Sequence, residues 1–233
     1  MRDVIRNFLI ELSGHKRVYG DIRLDDFSED LGVSKAHGAT ELVFDELNKK
    51  KFARLTSHRN QNGILKISDT LTFGEDGFIK IKCTFKISKA GGASDADGSG
   101  ADGIKLILAG DKGEVEVFID TYHNVEDESG NHIDLTLNGN KVGEAYHKDR
   151  LNNDIAYILM VEVRNGVITV GIQKDLQSED DEPMSKPLIA QPIDALKDLG
   201  KNFTIQFIGI TGEGYQTQDI LGLSYQSNYH LDF

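Results

Sequence analysis

The chain has 233 residues, with 26 Lys+Arg against 38 Asp+Glu and a formal net charge of −12 at pH 7. A composition of 39% hydrophobic and 27% charged residues is that of a folded chain, long enough for one large β domain or two small ones. So acidic a chain argues against a nucleic-acid partner, which needs clustered Lys and Arg, and a single cysteine, Cys83, excludes an internal disulfide framework.

From the N-terminus, Val4, Ile5, Phe8 and Leu9, with a stop at Gly14, have the spacing of a short amphipathic helix. The apolar run Phe8, Leu9, Ile10 is too short for a signal-peptide core, and Asp3 stands where positive charge belongs. Taken literally, the chain starts inside a cell; as a domain of a larger exported protein it would be extracellular or at the cell surface. No stretch approaches the roughly 20 apolar residues that cross a bilayer, so no membrane insertion is expected. Residues 25–32 and 39–49 suit helix or loop equally. Residues 1–45 therefore read as a partly helical extension packed on a main domain of residues 46–233.

Beyond residue 50 the pattern changes to short β-rich runs separated by Gly, Asn and Asp. The clearest are residues 78–87, 103–108, 115–121, 133–137, 157–163, 167–172 and 203–208. Several alternate apolar and polar residues, as strands with one buried face do. Asn165-Gly166 between two of them is a hairpin signal. Residues 174–192 form an acidic loop holding Pro183, Pro187 and Pro192, expected to bridge two strands across a sandwich. Residues 93–101, rich in Ser, Asp and Gly, read as a surface loop. Many strands and few helices predict an all-β, antiparallel β-sandwich.

Chemistry concentrates in residues 114–124 (EVEVFIDTYHN). Alternation places Val115, Val117, Ile119 and Thr121 on the core face and Glu116, Phe118, Asp120, Tyr122 and Asn124 on the other. An acidic turn follows, from Val125 through Glu126, Asp127 and Glu128 to His132. Carboxylate and amide oxygens converging from a strand end and its loop are what Ca²⁺ takes, and a solvated strand end is the plainer alternative. Asp95, Asp97 and Ser99 imitate the start of an EF-hand loop, but the twelfth position is Leu106 rather than Glu.

Residues 118–124, followed by His132-Ile133, resemble the metal-site strand and loop of the L-type lectins, the legume seed lectins and ER–Golgi cargo-receptor lectins. Three further segments resemble that family in the right order. They are Leu55-Thr56 to Gln61-Asn62-Gly63, then Ala101-Asp102-Gly103-Ile104, then residues 209–215 (GITGEGY) running on to Tyr225. The resemblance covers roughly residues 50–228 and implies a jelly-roll sandwich and a Ca²⁺-dependent lectin for mannose- or glucose-type glycans. It implies calcium ligands in the Asp120 carboxylate, the Tyr122 carbonyl and the Asn124 amide oxygen. The fourth ligand is Asp127 on the legume pattern, or Asp149 beside a sugar-contacting His147 on the cargo-receptor pattern; Asp127 is preferred. Phe118 stands where legume lectins carry a Glu for a second metal, so no Mn²⁺ is expected and His132 is left to hydrogen-bond within its loop. Asp102, following a cis peptide, would accept from two sugar hydroxyls. Asn124 and the main-chain NH groups of Glu213, Gly214 and Tyr215 would donate, Tyr122 or Tyr215 would stack, and Asn60 would add a peripheral contact. Glycans or glycoproteins are the implied partners, with pairing of sandwiches into a homo-oligomer also possible.

Two other readings compete. A lectin-fold interaction domain could have lost sugar binding, as the metal loop, two residues shorter than the legume pattern, suggests. A glycoside hydrolase could use Glu114, Glu116 and Asp120, which share a face. Retention needs carboxyls about 5–5.5 Å apart, whereas residues 116 and 120 would lie about 13 Å apart along a strand. No enzyme is expected.

Overall fold

The computed structural model describes residues 17–24, 27, 33–67, 70–73, 78–96, 98–124, 128–175 and 186–230. In chain order the first strands are β1 (Arg17–Leu24), β2 (Val33–Gly38), β3 (Glu41–Asp45), β4 (Lys50–Thr56), β5 (Asn62–Ile67), β6 (Leu71–Thr72), β7 (Ile79–Gly92), β8 (Ser94–Asp95) and β9 (Gly98–Ser99). They continue with β10 (Gly103–Gly110), β11 (Glu114–Asp120), β12 (His132–Leu137), β13 (Asn140–Tyr146), β14 (Ala156–Arg164), β15 (Val167–Lys174) and β16 (Ile189–Pro192). After the single-turn helix α1 (Ala195–Asp198) come β17 (Asn202–Ile210) and β18 (Gly214–His230).

Two 8-stranded antiparallel sheets result. One runs β16-β15-β14-β7-β18-β4-β3, with β1 also on β18; the other runs β13-β12-β11-β10-β17-β5-β2, with β6 also on β17. Alternation explains the layering. In β7, Ile79, Ile81, Cys83, Phe85 and Ile87 are buried while Lys80, Lys82, Thr84 and Lys86 lie on the outer face. Their inner-face partners from the second sheet include Leu106, Leu108, Val117, Ile119, Ile205 and Phe207, all buried in one continuous core. Burying each such side chain contributes about 1.5–3 kcal/mol.

Asn165 and Gly166 both have positive φ (51° and 73°) and close the β14–β15 hairpin; Asn138 and Gly139 (50° and 77°) do the same between β12 and β13. Both central residues of a type I′ turn need positive φ, which Asn-Gly supplies at small cost.

Three sequence expectations change here. The described part of residues 1–45 is woven into the sheets rather than laid on them: β1 pairs with β18, β2 with β5 and β3 with β4. The helix expected near Val4 to Gly14 lies outside the described residues, as does most of 25–32. The proline-bearing segment joins neighbours in one sheet and not strands of opposite sheets, since β16 pairs with β15; residues 176–185 between them, Pro183 included, lie outside the described residues. Pro192 ends this edge strand, where a missing N–H breaks no ladder. Residues 93–101 contain the small β8–β9 hairpin. No helix among the described residues is long and apolar enough to cross a membrane.

Candidate functional site at one end of the sandwich

Strand register gathers four distant segments at one end. Gly103 pairs with both Asp120 and Ile210, so Asp102 lies between the end of β11 and the end of β17. Its N–H donates to the Ile210 carbonyl (2.9 Å), and its carbonyl accepts from Thr121 through both N (2.8 Å) and Oγ1 (3.1 Å). The Ala101–Asp102 peptide is cis, as the resemblance implies. The turn after β17 holds the loop after β4: Asn60 N donates to the Gly212 carbonyl (3.0 Å), and Thr211 Oγ1 donates to the His58 carbonyl (2.6 Å). Ala93 N donates to the Glu213 carbonyl at 3.1 Å, and Gly214 packs against Ala101. Asp102, Asn60, Glu213, Gly214 and Tyr215 are thus brought together from three parts of the sequence.

The Asp102 carboxylate accepts no hydrogen bond from any described residue. Partial burial pushes its pKa above the ordinary carboxylate value, and Lys105 pulls it back in part. Lys105 itself is held by Glu116 at 2.8 Å and lies over the Phe118 ring.

The metal segment continues from β11. Asp120 is buried, and its Oδ1 accepts from Tyr122 N at 2.8 Å, curling residues 120–122 into a turn. Tyr122 and Asn124 are half-buried. A side chain at Gly130 would sit 2.4 Å from His123 N and 2.8 Å from the Tyr122 carbonyl carbon, so only glycine lets the returning loop press on this segment. On the far side, Asp95 Oδ2 accepts from His123 N at 2.7 Å, giving a structural role to a residue that the sequence offered only as an EF-hand mimic.

The oxygen donors of Asp120, Tyr122 and Asn124 on one tight turn suit a hard cation. Asp127, the preferred fourth ligand, lies outside the described residues. Asp149, the alternative, pairs with Lys174 at 3.0 Å, whose ammonium holds its carboxyl below the ordinary range. The His147 ring contacts the Asp149 carbonyl (2.8 Å) and meets Tyr157 edge-on, with centroids 5.7 Å apart. Asn131 organises this loop, donating to the carbonyls of His147 and Asp149, both at 2.6 Å.

A second group of metal-type ligands, His132, Asp134 and Glu144, lies beside the turn. It already holds a cation. Lys141 Nζ is 2.8 Å from Asp134 Oδ1 and 2.6 Å from Glu144 Oε1. His132 Nδ1 contacts the Ser129 carbonyl at 2.9 Å, as the loop role expected of it requires, while Nε2 faces Asp134 (3.7 Å) and Asp120 (3.9 Å). Asp134, ahead of the opposing effect of desolvation, pushes the imidazole pKa up to about 9. Burial raises the Asp134 carboxyl, and its contacts with His132 and Lys141 outweigh that, leaving it below the ordinary value.

At the rim, the Tyr215 ring rests on Gly91 and Gly92, where an added Cβ would come within 2.9 Å of it. The Arg59 guanidinium lies over the same ring, 5.7 Å from its centroid, and 3.9 Å from Glu213. Arg59, Thr121, Gln216, Asn131 and Lys141 were not singled out from the sequence. Their roles depend on neighbours across strands and loops, which the runs containing Thr121 and Gln216 do not reveal.

No family model matches the sequence, and no curated protein matches it. Solved structures do. Peanut lectin, solved with a 9mer peptide, is 16% identical with a TM-score of 0.68, over 92% of this chain and 99% of its own. The lectin from Bauhinia forficata in complex with GalNAc is 17% identical with a TM-score of 0.68, over 92% and 100%. The exoplasmic/lumenal domain of VIP36 in its Ca²⁺/Man-bound form is 17% identical with a TM-score of 0.62, over 85% and 83%. At such identities the likeness is one of fold: this chain has the antiparallel β-sandwich fold of these lectins.

Proposed function

We propose that this chain is a non-catalytic, calcium-dependent carbohydrate-binding domain for mannose- or glucose-type glycans. The observation that carries the reading is the half-buried Asp102 carboxylate, without a hydrogen-bond donor among the described residues, held beside the Asp120–Asn124 turn. An ionised carboxylate has two oxygens free to accept from two adjacent hydroxyls, the pattern a sugar edge offers. Asp120, Tyr122 and Asn124 would hold Ca²⁺, with Asp127 as fourth ligand. The ion would supply a fixed positive charge that orients the Asn124 amide so that its NH₂ faces the sugar. Backbone NH groups of Glu213, Gly214 and Tyr215 would donate, and the Tyr215 ring, backed by Gly91 and Gly92, would offer an apolar face once Arg59 swings aside. VIP36 in a Ca²⁺/Man-bound form supports the choice of ion and sugar class by analogy of fold.

A second reading, a lectin-fold interaction domain without sugar binding, is favoured by Arg59 covering Tyr215 and by the commitment of Asp149 to Lys174. A hydrolase is disfavoured because Glu116 is tied to Lys105. A glycan array in millimolar Ca²⁺, repeated in EDTA, separates these readings. Calcium-dependent binding to related mannose or glucose glycans is expected. No binding in either condition would favour the interaction domain, and binding that survives EDTA would sink the calcium-organised turn.

A further inference from the structure

We infer that Gln216, acting through Thr121, is a positioning residue that sets the Asp102 peptide for its ligand. This rests on the carbohydrate-binding reading of Asp102. Gln216 sits in β18 with no exposed surface, at a position where an apolar side chain would ordinarily fill the space. Burying an amide costs free energy unless its hydrogen bonds are made, so its partners state its purpose.

Those partners surround Asp102. Gln216 Nε2 donates to Thr121 Oγ1 at 2.7 Å, and Oε1 accepts from Asn152 Nδ2 at 3.4 Å. Asn152 Nδ2 also donates to the Ser99 carbonyl at 3.1 Å, three residues before Asp102. The backbone of Gln216 is itself held, its carbonyl accepting from Thr56 Oγ1 at 3.2 Å. The direction of the relay follows from donor counting. A hydroxyl has one proton; with the Gln216 NH₂ donating into Thr121 Oγ1, that proton goes to the Asp102 carbonyl 3.1 Å away. Gln216 therefore grips the chain on both sides of the Asp102 side chain, before it through Asn152 and after it through Thr121. Thr121 lies between Asp120 and Tyr122, so the same amide ties the metal turn and the sugar-facing carboxylate into one frame. Its own side chain is outside the proposed calcium ligand set.

The test uses near-isosteric apolar replacements, Thr121→Val and Gln216→Met, singly and together, with Thr121→Ser as the variant that keeps the hydroxyl. Four quantities are read: Tm, Ca²⁺ affinity by calorimetry, affinity for an immobilised oligomannose glycan in millimolar Ca²⁺, and hydrogen exchange of residues 99–106. Thr121→Val strands the buried Gln216 Nε2 and lowers Tm; Gln216→Met leaves Thr121 its bond to Asp102 and lowers Tm less; the double variant removes both partners and recovers most of the loss in Thr121→Val. Glycan affinity falls about tenfold in Thr121→Val and in Gln216→Met, because the Asp102 carbonyl loses its second donor in the first and that donor's fixed orientation in the second, and it stays down in the double variant. Exchange of residues 99–106 is faster in all three, Ca²⁺ affinity changes by less than about twofold, and Thr121→Ser binds as wild type. If affinity and exchange stay at wild type in Gln216→Met, or return to wild type along with Tm in the double variant, Gln216 is a packing residue only and the inference is overturned. If wild type does not bind oligomannose, the proposed glycan class fails, and exchange alone decides the network: faster at recovered Tm upholds it, unchanged overturns it.

Discussion

At the scale of single residues, the proposed site divides into groups that would hold a metal turn and a group that would meet the ligand. Asp102→Ala should lower glycan affinity at least about tenfold, since hydrogen bonds to a charged acceptor are lost, while calorimetry finds Ca²⁺ affinity nearly intact. Asp120→Ala or Asn124→Ala should abolish both. Normal glycan binding by Asp102→Ala would mean the pocket is elsewhere, even with the fold right. His132 offers a pH test. Its folded-state pKa of about 9 lies above the ordinary 6.5, so the stabilisation from its charged form is fully present below about pH 6.5 and is lost as pH rises through about 9. In EDTA, the Tm difference between wild type and His132→Gln should shrink steadily between those limits; a constant difference would show that the imidazole is not charged by Asp134. Asp102, Asp120 and Asn124 were legible in the sequence because each stands in a contiguous motif. Lys141 was not, because it reaches Asp134 across the β12–β13 ladder and not along the chain.

At the scale of elements, legibility followed the strength of alternation. The stretches that became β7, β10, β11 and β17 announce themselves because each must bury one face, and the Asn165-Gly166 turn because its φ angles suit few other pairs. β1, β2 and β3 did not, since their hydrogen-bond partners are supplied from elsewhere; Arg17 pairs with His230. The return loop at Gly130 belongs to this scale too. A methyl group there would collide with backbone atoms of Tyr122 and His123 that cannot rotate away. Gly130→Ala should therefore weaken Ca²⁺ binding about tenfold or more through displacement of the turn, with a smaller loss of Tm. Unchanged calcium affinity would show that the 120–124 segment does not form the metal site.

At the scale of the whole molecule, stability comes from the two inner faces meeting. Phe207 is fully buried at the centre of the second sheet, and Phe207→Ala should cost about 3–5 kcal/mol, read from denaturant unfolding. Calcium should act on the same balance from the end of the sandwich. An ion binding only the folded state stabilises it by about 2.7 kcal/mol at 100 times Kd, so Tm should climb with added Ca²⁺ and fall back in EDTA. Asp120→Ala should show no such rise. A wild-type Tm indifferent to calcium would remove the ion from the proposed function.

The all-β class, the main strands, the inward faces and the run of residues from Asp120 to Asn124 can be read along the chain, because alternation and short motifs are local properties. Tertiary structure alone decided that Asp102 meets the turn after β11, that Asp149 belongs to Lys174, that Lys141 fills the His132–Asp134–Glu144 group, and that Gln216 reaches Thr121. Each of these depends on strand register and on which strands neighbour one another, and a pairing between residues far apart in the chain leaves no periodic trace in either partner.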